Sequence, residues 1–292
     1  MLDSSLFDSS LVEKNFGFMG SLEHYQNADV IILGVPLEAT LSFRPGTRFG
    51  PQQIRNVSVG LEEYSMYQDR ELTEVRFFDA GDLVLPLGNL LESLHVIETA
   101  AKQLIRDHKN PIFLGGEHLI SYPLIKAMSA QYPDLVVLHF DAHADLRPDY
   151  LGQPWSHATV IRRVSEIVKG SNIFQFGIRS GTREEFSYAR ENTHLTIEKV
   201  LEPLQAILPR IEDRPVYLTL DIDVMDPAYA PGTGTPEPGG CSSREMIAAI
   251  HTLCHMNIVG MDLVEVSPGN DNNDQTSILA AKLVREAILA FW

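Results

Sequence analysis

Cysteine is nearly missing from this chain: Cys241 and Cys254 are the only two in 292 residues, and they form no Cys-x-x-Cys pair. A disulfide framework and a thiolate metal site are therefore not expected, and two reduced thiols are. Long apolar runs are missing too. No stretch approaches the roughly 20 residues that span a bilayer. Met1-Leu2-Asp3-Ser4-Ser5 lacks the basic region and apolar core of a signal peptide, so a cytoplasmic location is expected. Positive charge is in deficit, with 23 Lys plus Arg against 39 Asp plus Glu, a formal net charge of −16. That argues against nucleic acid and membrane as partners, because both are bound through excess Lys and Arg. A field of this sign favours small cationic ligands instead.

Repeats, low-complexity tracts and linkers are also absent, and apolar runs alternate with amphipathic segments throughout. The expected strands are Val30–Val35, Arg76–Asp79, Pro111–Leu114, Leu135–Phe140, Asn172–Gly177, His194–Ile197, Val216–Leu220 and Ile258–Val264. Helical stretches lie between them, among them Ala158–Val168 and Arg244–His255, the latter behind a Ser242-Ser243 cap. This alternation predicts a single-domain α/β/α three-layer fold with an eight-stranded, mainly parallel sheet. The domain is expected to run over 29–292, with 1–28 as an N-terminal extension packed on it.

Two strands end in the same chemistry. Val136-Val137-Leu138-His139-Phe140 runs into Asp141-Ala142-His143-Ala144-Asp145, and Val216-Tyr217-Leu218-Thr219-Leu220 into Asp221-Ile222-Asp223. Ligands of open α/β sheets bind beyond the carboxyl ends of strands. In extended chain, residues spaced by two share a face, which would gather these side chains. Gly115-Gly116-Glu117-His118 follows another strand, His157 opens a helical stretch, and Glu265 ends the last strand. Crowded, unpaired carboxylates repel and are expensive to bury. Metal cations resolve that conflict. Two His with four Asp and no Cys suit Mn²⁺ and tolerate Zn²⁺ or Fe²⁺. Six ligands exceed the three of a typical catalytic zinc site, but serve two cations that share carboxylates. Such a pair can hold a bridging hydroxide near neutral pH, so hydrolysis is the natural reaction class. Glu117, His139, Asp149, Asp226, His251 and His255 are read as structural.

These residues resemble the ureohydrolase family, which includes arginase and agmatinase. The resemblance rests on GGEH (115–118), DAHAD (141–145), SHAT (156–159) and DIDVMDPAYAPGTGTPEPGG (221–240). Also similar are RPGTRFGPQQIR (44–55), FGIRSGTREEF (176–186) and DLVEVSPGNDNNDQT (262–276). It implies an arginase-like fold, two Mn²⁺ per chain, and assembly as a homo-trimer or homo-hexamer. By the same resemblance His118, Asp141, Asp145 and Asp221 bind one ion, and Asp141, His143, Asp221 and Asp223 the other. Asp141 and Asp221 would then be bridges. Asp145 is the expected proton donor to the departing amine. His157 is the proton shuttle, a task suited to an unperturbed pKa near 6.5. Glu265 anchors the guanidinium.

The motifs read most like the agmatinase branch: hydrolysis of agmatine to putrescine and urea by attack of a metal-bridging hydroxide. Arginase-like members commonly place Asn where this chain has Arg147, which points away from arginine. Arg147 facing the pocket would repel an ammonium tail and favour a carboxylate-tailed substrate such as 4-guanidinobutyrate. Alternatively it pairs with Asp149 or serves a subunit contact. A non-catalytic metal-binding scaffold, or a single-zinc deacetylase of related fold, stands outside the class.

Overall fold

Val30–Val35, Val136–Phe140 and Ile173–Ile178 are buried at every position, as parallel strands covered on both faces must be. In the computed structural model, which describes residues 12–13 and 16–292, all eight expected strands form. Met1–Ser5, examined above for a leader, lie outside the described residues. The main sheet comprises β1 (Val12–Glu13), β2 (Val30–Val35), β3 (Phe77–Leu83), β4 (Asn110–Gly115), β5 (Val136–Phe140), β6 (Ile173–Ile178), β7 (His194–Ile197), β8 (Pro215–Asp221) and β9 (Asn257–Val264). Their spatial order is β1-β3-β2-β4-β9-β8-β5-β6-β7. Among the described residues the sheet therefore has nine strands rather than the expected eight. The addition is β1, a two-residue strand pairing antiparallel with Leu83 and Asp82; it is too short to show a period of two in sequence.

Alternation along each strand builds two apolar layers. Val136, Leu138, Phe140, Val216, Leu218 and Leu220 face one core with α1 (Gly50–Ser58), α6 (Leu201–Ile211), α7 (Ser243–Thr252) and α8 (Gln275–Phe291). Ile31, Leu33, Phe113, Val137 and Tyr217 face the other, with α2 (Leu90–Arg106), α3 (Ser121–Gln131), α4 (Val160–Val164) and α5 (Arg183–Asn192). Ser242 caps α7 by accepting from Glu245 N. The helix expected over Ala158–Val168 is shorter: a 3₁₀ turn covers His157–Thr159, and α4 stops at Val164. Ser165 then hydrogen-bonds back to the Arg162 carbonyl at 2.7 Å, competing with further helix.

The register positions the site. Leu114 pairs with Leu263, Val264 with Asp221, and Leu220 with Phe140. The carboxyl ends of the four adjacent strands β4, β9, β8 and β5 are thus level, within a width of about 15 Å.

Candidate metal centre and active site

Each strand end turns sharply instead of continuing extended. Asp141 Oδ1 accepts His143 N at 2.6 Å, and Asp221 Oδ1 accepts Asp223 N at 2.8 Å. These are aspartate-initiated turns, and Asp223 lies in a 3₁₀ turn, Ile222–Val224. Convergence of the side chains therefore comes from the turns and from left-handed backbone at Asp145 (φ 53°), not from the extended spacing expected. Gly116 permits the neighbouring approach: a Cβ there would sit 2.0 Å from the Leu37 carbonyl oxygen.

All six expected ligands come together. His118 Nδ1 lies 3.0 Å from Asp141 Oδ2, 3.4 Å from Asp145 Oδ2 and 3.4 Å from Asp221 Oδ2. His143 Nδ1 lies 3.0 Å from Asp223 Oδ2 and 3.5 Å from Asp141 Oδ1. The two oxygens of Asp141 thus face different imidazoles. His118 Nδ1 is buried and, among the described residues, has no hydrogen-bond partner despite three carboxylate oxygens around it. An orphaned lone pair among carboxylates fits a cation.

The titration behaviour carries the same message. Burial, then the charges of Asp223 and Asp141, push Asp221 well above the usual carboxylate range. Burial and Asp141 push Asp145 up to about 7. Burial disfavours a charged His143, yet Asp223 and Asp141 raise it to about 12. Protons are being drawn in where cations belong.

One row beneath the ligands runs a line of buried polar residues, of which sequence reading assigned only His139, as structural. In register across β6, β5, β8 and β9 stand Gln175, His139, Thr219 and Asp262. Thr219 Oγ1 donates to Asp262 Oδ1 at 2.7 Å, so it accepts from His118 Nε2 at 2.9 Å. That assigns the proton to Nε2 and leaves Nδ1 free to ligate. Gln175 donates one amide hydrogen to the Ala144 carbonyl (2.9 Å) and the other to His139 Nδ1 (3.1 Å). Its oxygen accepts from Thr193. His139 Nε2 therefore carries hydrogen and donates to Asp141 Oδ2 at 2.8 Å. By proximity alone His139 belongs with His118, Asp141 and Asp145 in one ligand group. Its donor nitrogen excludes it, and the structural reading of His139 stands. Each of the four residues stands alone between apolar neighbours within its strand, which was the available signal.

The cluster floors a cavity of about 270 Å³ whose walls include Ser42, Arg147, Tyr150, His157, Thr182, Glu185 and Glu265. Glu265, left-handed at φ 66°, accepts His118 N on Oε1 at 2.7 Å. Burial, above all, raises its pKa to about 8. His157 departs from expectation: burial lowers it to about 4 rather than leaving it near 6.5, so the ring is neutral at rest. Arg147 lines the pocket and pairs with Glu185, Nε to Oε2 at 3.5 Å, not with Asp149. Asp149 instead accepts Gly152 N. Glu185 also accepts Leu146 N and Thr182 N.

Glu117, read above as structural, does more than pack. Its Oε2 accepts Ala39 N (2.6 Å) and Thr40 N (2.7 Å), and its Oε1 accepts Thr40 Oγ1 at 2.9 Å. Burial pushes this carboxyl up while those bonds pull it back. Thr40 and Ser42, also unassigned from sequence, touch the two ring nitrogens of His157.

The arginase family description matches residues 28–290. The chain is 51% identical over 277 residues to agmatinase of Bacillus subtilis, covering 94% of this chain and 96% of that one. It is 36% identical over 272 residues to guanidinobutyrase of Pseudomonas aeruginosa, covering 89% and 85%. The crystal structure of agmatine ureohydrolase of Thermoplasma volcanium superposes with a TM-score of 0.87 at 32% identity, covering 95% and 94%.

Proposed function

The chain belongs to the arginase family, and on that premise we propose that it hydrolyses agmatine to putrescine and urea with two divalent cations, Mn²⁺ by preference. The observation that carries the reading is the double His/Asp cluster on Asp141, at the floor of a pocket that also presents Glu265. His118, Asp141, Asp145 and Asp221 would hold one cation, and Asp141, His143, Asp221 and Asp223 the other. Bound there, the ions would lower the pKa of water and supply a nucleophile near neutral pH. Glu265 receives the guanidinium through charge-assisted hydrogen bonds, which also offset the burial of its own charge. Asp145, in the cluster beside His118, passes a proton to the departing amine. His157, at the wall, exchanges protons between the pocket and solvent. Neither His157 nor Glu265 is needed to hold metal, so a purely structural metal scaffold is not favoured.

Agmatine is preferred to a guanidino acid on two grounds. Identity to the agmatinase is 51% against 36% to the guanidinobutyrase. Arg147, the residue that would attract a carboxylate tail, is already paired with Glu185, and Glu265 leaves one further carboxyl group in the pocket wall. The test is urea release from agmatine, arginine, 4-guanidinobutyrate and guanidinoacetate by Mn²⁺-loaded protein. Agmatine is expected to exceed arginine in kcat/KM by at least about 10²-fold, roughly 2.7 kcal/mol of transition-state discrimination. A preference for 4-guanidinobutyrate would overturn the substrate, and no urea from any of the four would overturn the reaction.

A cytoplasmic location and a homo-trimer or homo-hexamer belong to the same proposal. Among the described residues no helix is long and apolar enough to cross a membrane. Exposed Phe49, Val84 and Leu87 line one groove and support a subunit contact, which solution mass tests directly.

A further inference from the structure

Thr40 Oγ1 has one hydrogen to give and two lone pairs to offer, and its neighbours fix how both are used. Glu117, with Oε2 already taken by two backbone N–H groups, presents Oε1 as an acceptor 2.9 Å away. The hydroxyl hydrogen goes there. The two lone pairs then face His157 N at 3.1 Å and His157 Nδ1 at 3.2 Å. Nδ1 must therefore bring the hydrogen. Ser156 Oγ, 3.4 Å from the same nitrogen, fits as a weaker second acceptor. On the other side of the ring Nε2 is left bare, 3.1 Å from Ser42 Oγ, a pocket-lining hydroxyl.

We propose that Glu117 and Thr40 are positioning residues that hold neutral His157 as the Nδ1–H tautomer, with Nε2 facing the pocket as a proton acceptor. Glu117 acts through the Thr40 hydroxyl and never touches substrate. The motif residue beside ligand His118 thus sets the protonation pattern of a histidine 40 positions further on. This inference rests on the shuttle role given to His157 above.

Glu117→Gln discriminates sharply. The two backbone donors keep an oxygen in the Oε2 place, so the new amide nitrogen faces Thr40. Thr40 Oγ1 must then accept from it, and its own hydrogen turns towards His157 Nδ1. The ring proton is expected to move to Nε2. Thr40→Val removes the bridge without changing shape, and Thr40→Ser restores it.

The experiment is ¹⁵N NMR of imidazole nitrogens in the full chain loaded with diamagnetic Zn²⁺, with the His157 signal assigned by its loss in His157→Asn. Wild type should show a protonated Nδ1 and a bare Nε2, and Glu117→Gln the reverse. With Mn²⁺, Glu117→Gln and Thr40→Val should each lose at least about 10-fold in kcat, with KM changed less than about twofold and metal content intact. Thr40→Ser should recover most of that loss. A protonated Nε2 in wild type overturns the proposal, as does an unmoved tautomer in Glu117→Gln. So does a Thr40→Val enzyme of normal kcat. If no guanidino compound is hydrolysed, the function above fails, while the tautomer still reports on the network by itself.

Discussion

Replacing Thr219 with Val should cost this protein both stability and metal affinity, by amounts that separate two roles. The substitution keeps the shape of a fully buried side chain and deletes one hydroxyl. That hydroxyl donates to Asp262 Oδ1 at 2.7 Å and accepts from His118 Nε2 at 2.9 Å. Ser121 Oγ is a third neighbour at 3.1 Å. Asp262 keeps its bond from Tyr217 at 2.8 Å, so it is weakened but not stranded. His118 Nε2–H is stranded. An unsatisfied buried group costs about 1–3 kcal/mol, and one orphan plus one weakened carboxylate gives roughly 2–4 kcal/mol. Urea denaturation with chelator present measures this term. The second effect is on the metal. Without an acceptor on Nε2, the ring no longer holds its lone pair on Nδ1, and loss of such support typically weakens metal binding about 10–100-fold. Competition titration with a chromophoric chelator reads that number. Thr219→Ser should recover both. A Thr219→Val protein that is destabilised yet binds metal as wild type does would refute the tautomer-fixing role and leave a packing role alone.

Asp141→Ala should abolish both metal positions, because its two oxygens face different imidazoles; His143→Ala should leave one. Elemental analysis after Mn²⁺ loading and desalting distinguishes zero, one and two ions per chain. Acid should also expose the buried state of His157, whose pKa of about 4 lies below the unfolded value near 6.5. A depressed histidine pKa means the unfolded chain binds the proton first, so stability falls as pH drops from 6.5 towards 4. By pH 5 wild type should have lost about 2 kcal/mol more than His157→Asn, measured with chelator in both samples; parallel pH profiles would contradict the burial argument. Gly116→Ala should cost more than about 3 kcal/mol, since its Cβ meets a backbone carbonyl that cannot swing aside. A loss below about 1 kcal/mol in urea denaturation would show that the Leu37 segment yields.

The layers, the strands and the gathering of the six candidate ligands were legible for the same reason: apolar runs of four to seven residues, four of which end in Asp, Gly-Gly-x-His or Glu. What failed to show was local. The two-residue β1 has no period to read. Extended spacing predicted the right grouping of Asp141 with His143, and Asp221 with Asp223, by the wrong geometry, because an Asp carboxylate bonding the N–H two residues on is itself a turn former. His157 was assigned an ordinary pKa, since composition says nothing about how deeply a loop is buried. Arg147 could not be partnered from sequence: Glu185 is 38 positions away, and Asp149 was nearer in the chain.

The polar row was legible, yet only His139 was read as a hydrogen-bonded structural residue and the other three were passed over. In each of Phe174-Gln175-Phe176, Leu138-His139-Phe140, Leu218-Thr219-Leu220 and Met261-Asp262-Leu263, one polar residue stands in an otherwise apolar strand. Period-two alternation puts it on the face shared with the residue two positions later. For three of the four that later residue is Asp141, Asp221 or Val264, the last being next to Glu265. A polar side chain buried in a central strand must find a partner, and the groups on its own face at the strand end are the nearest. Thus His139 bonds Asp141, two positions on along its own strand, whereas Thr219, two positions before Asp221, links Asp262 on the neighbouring strand to His118. The same reasoning could not have found Thr40 or Glu117, because their partnership crosses 77 residues between two loops with no period of their own.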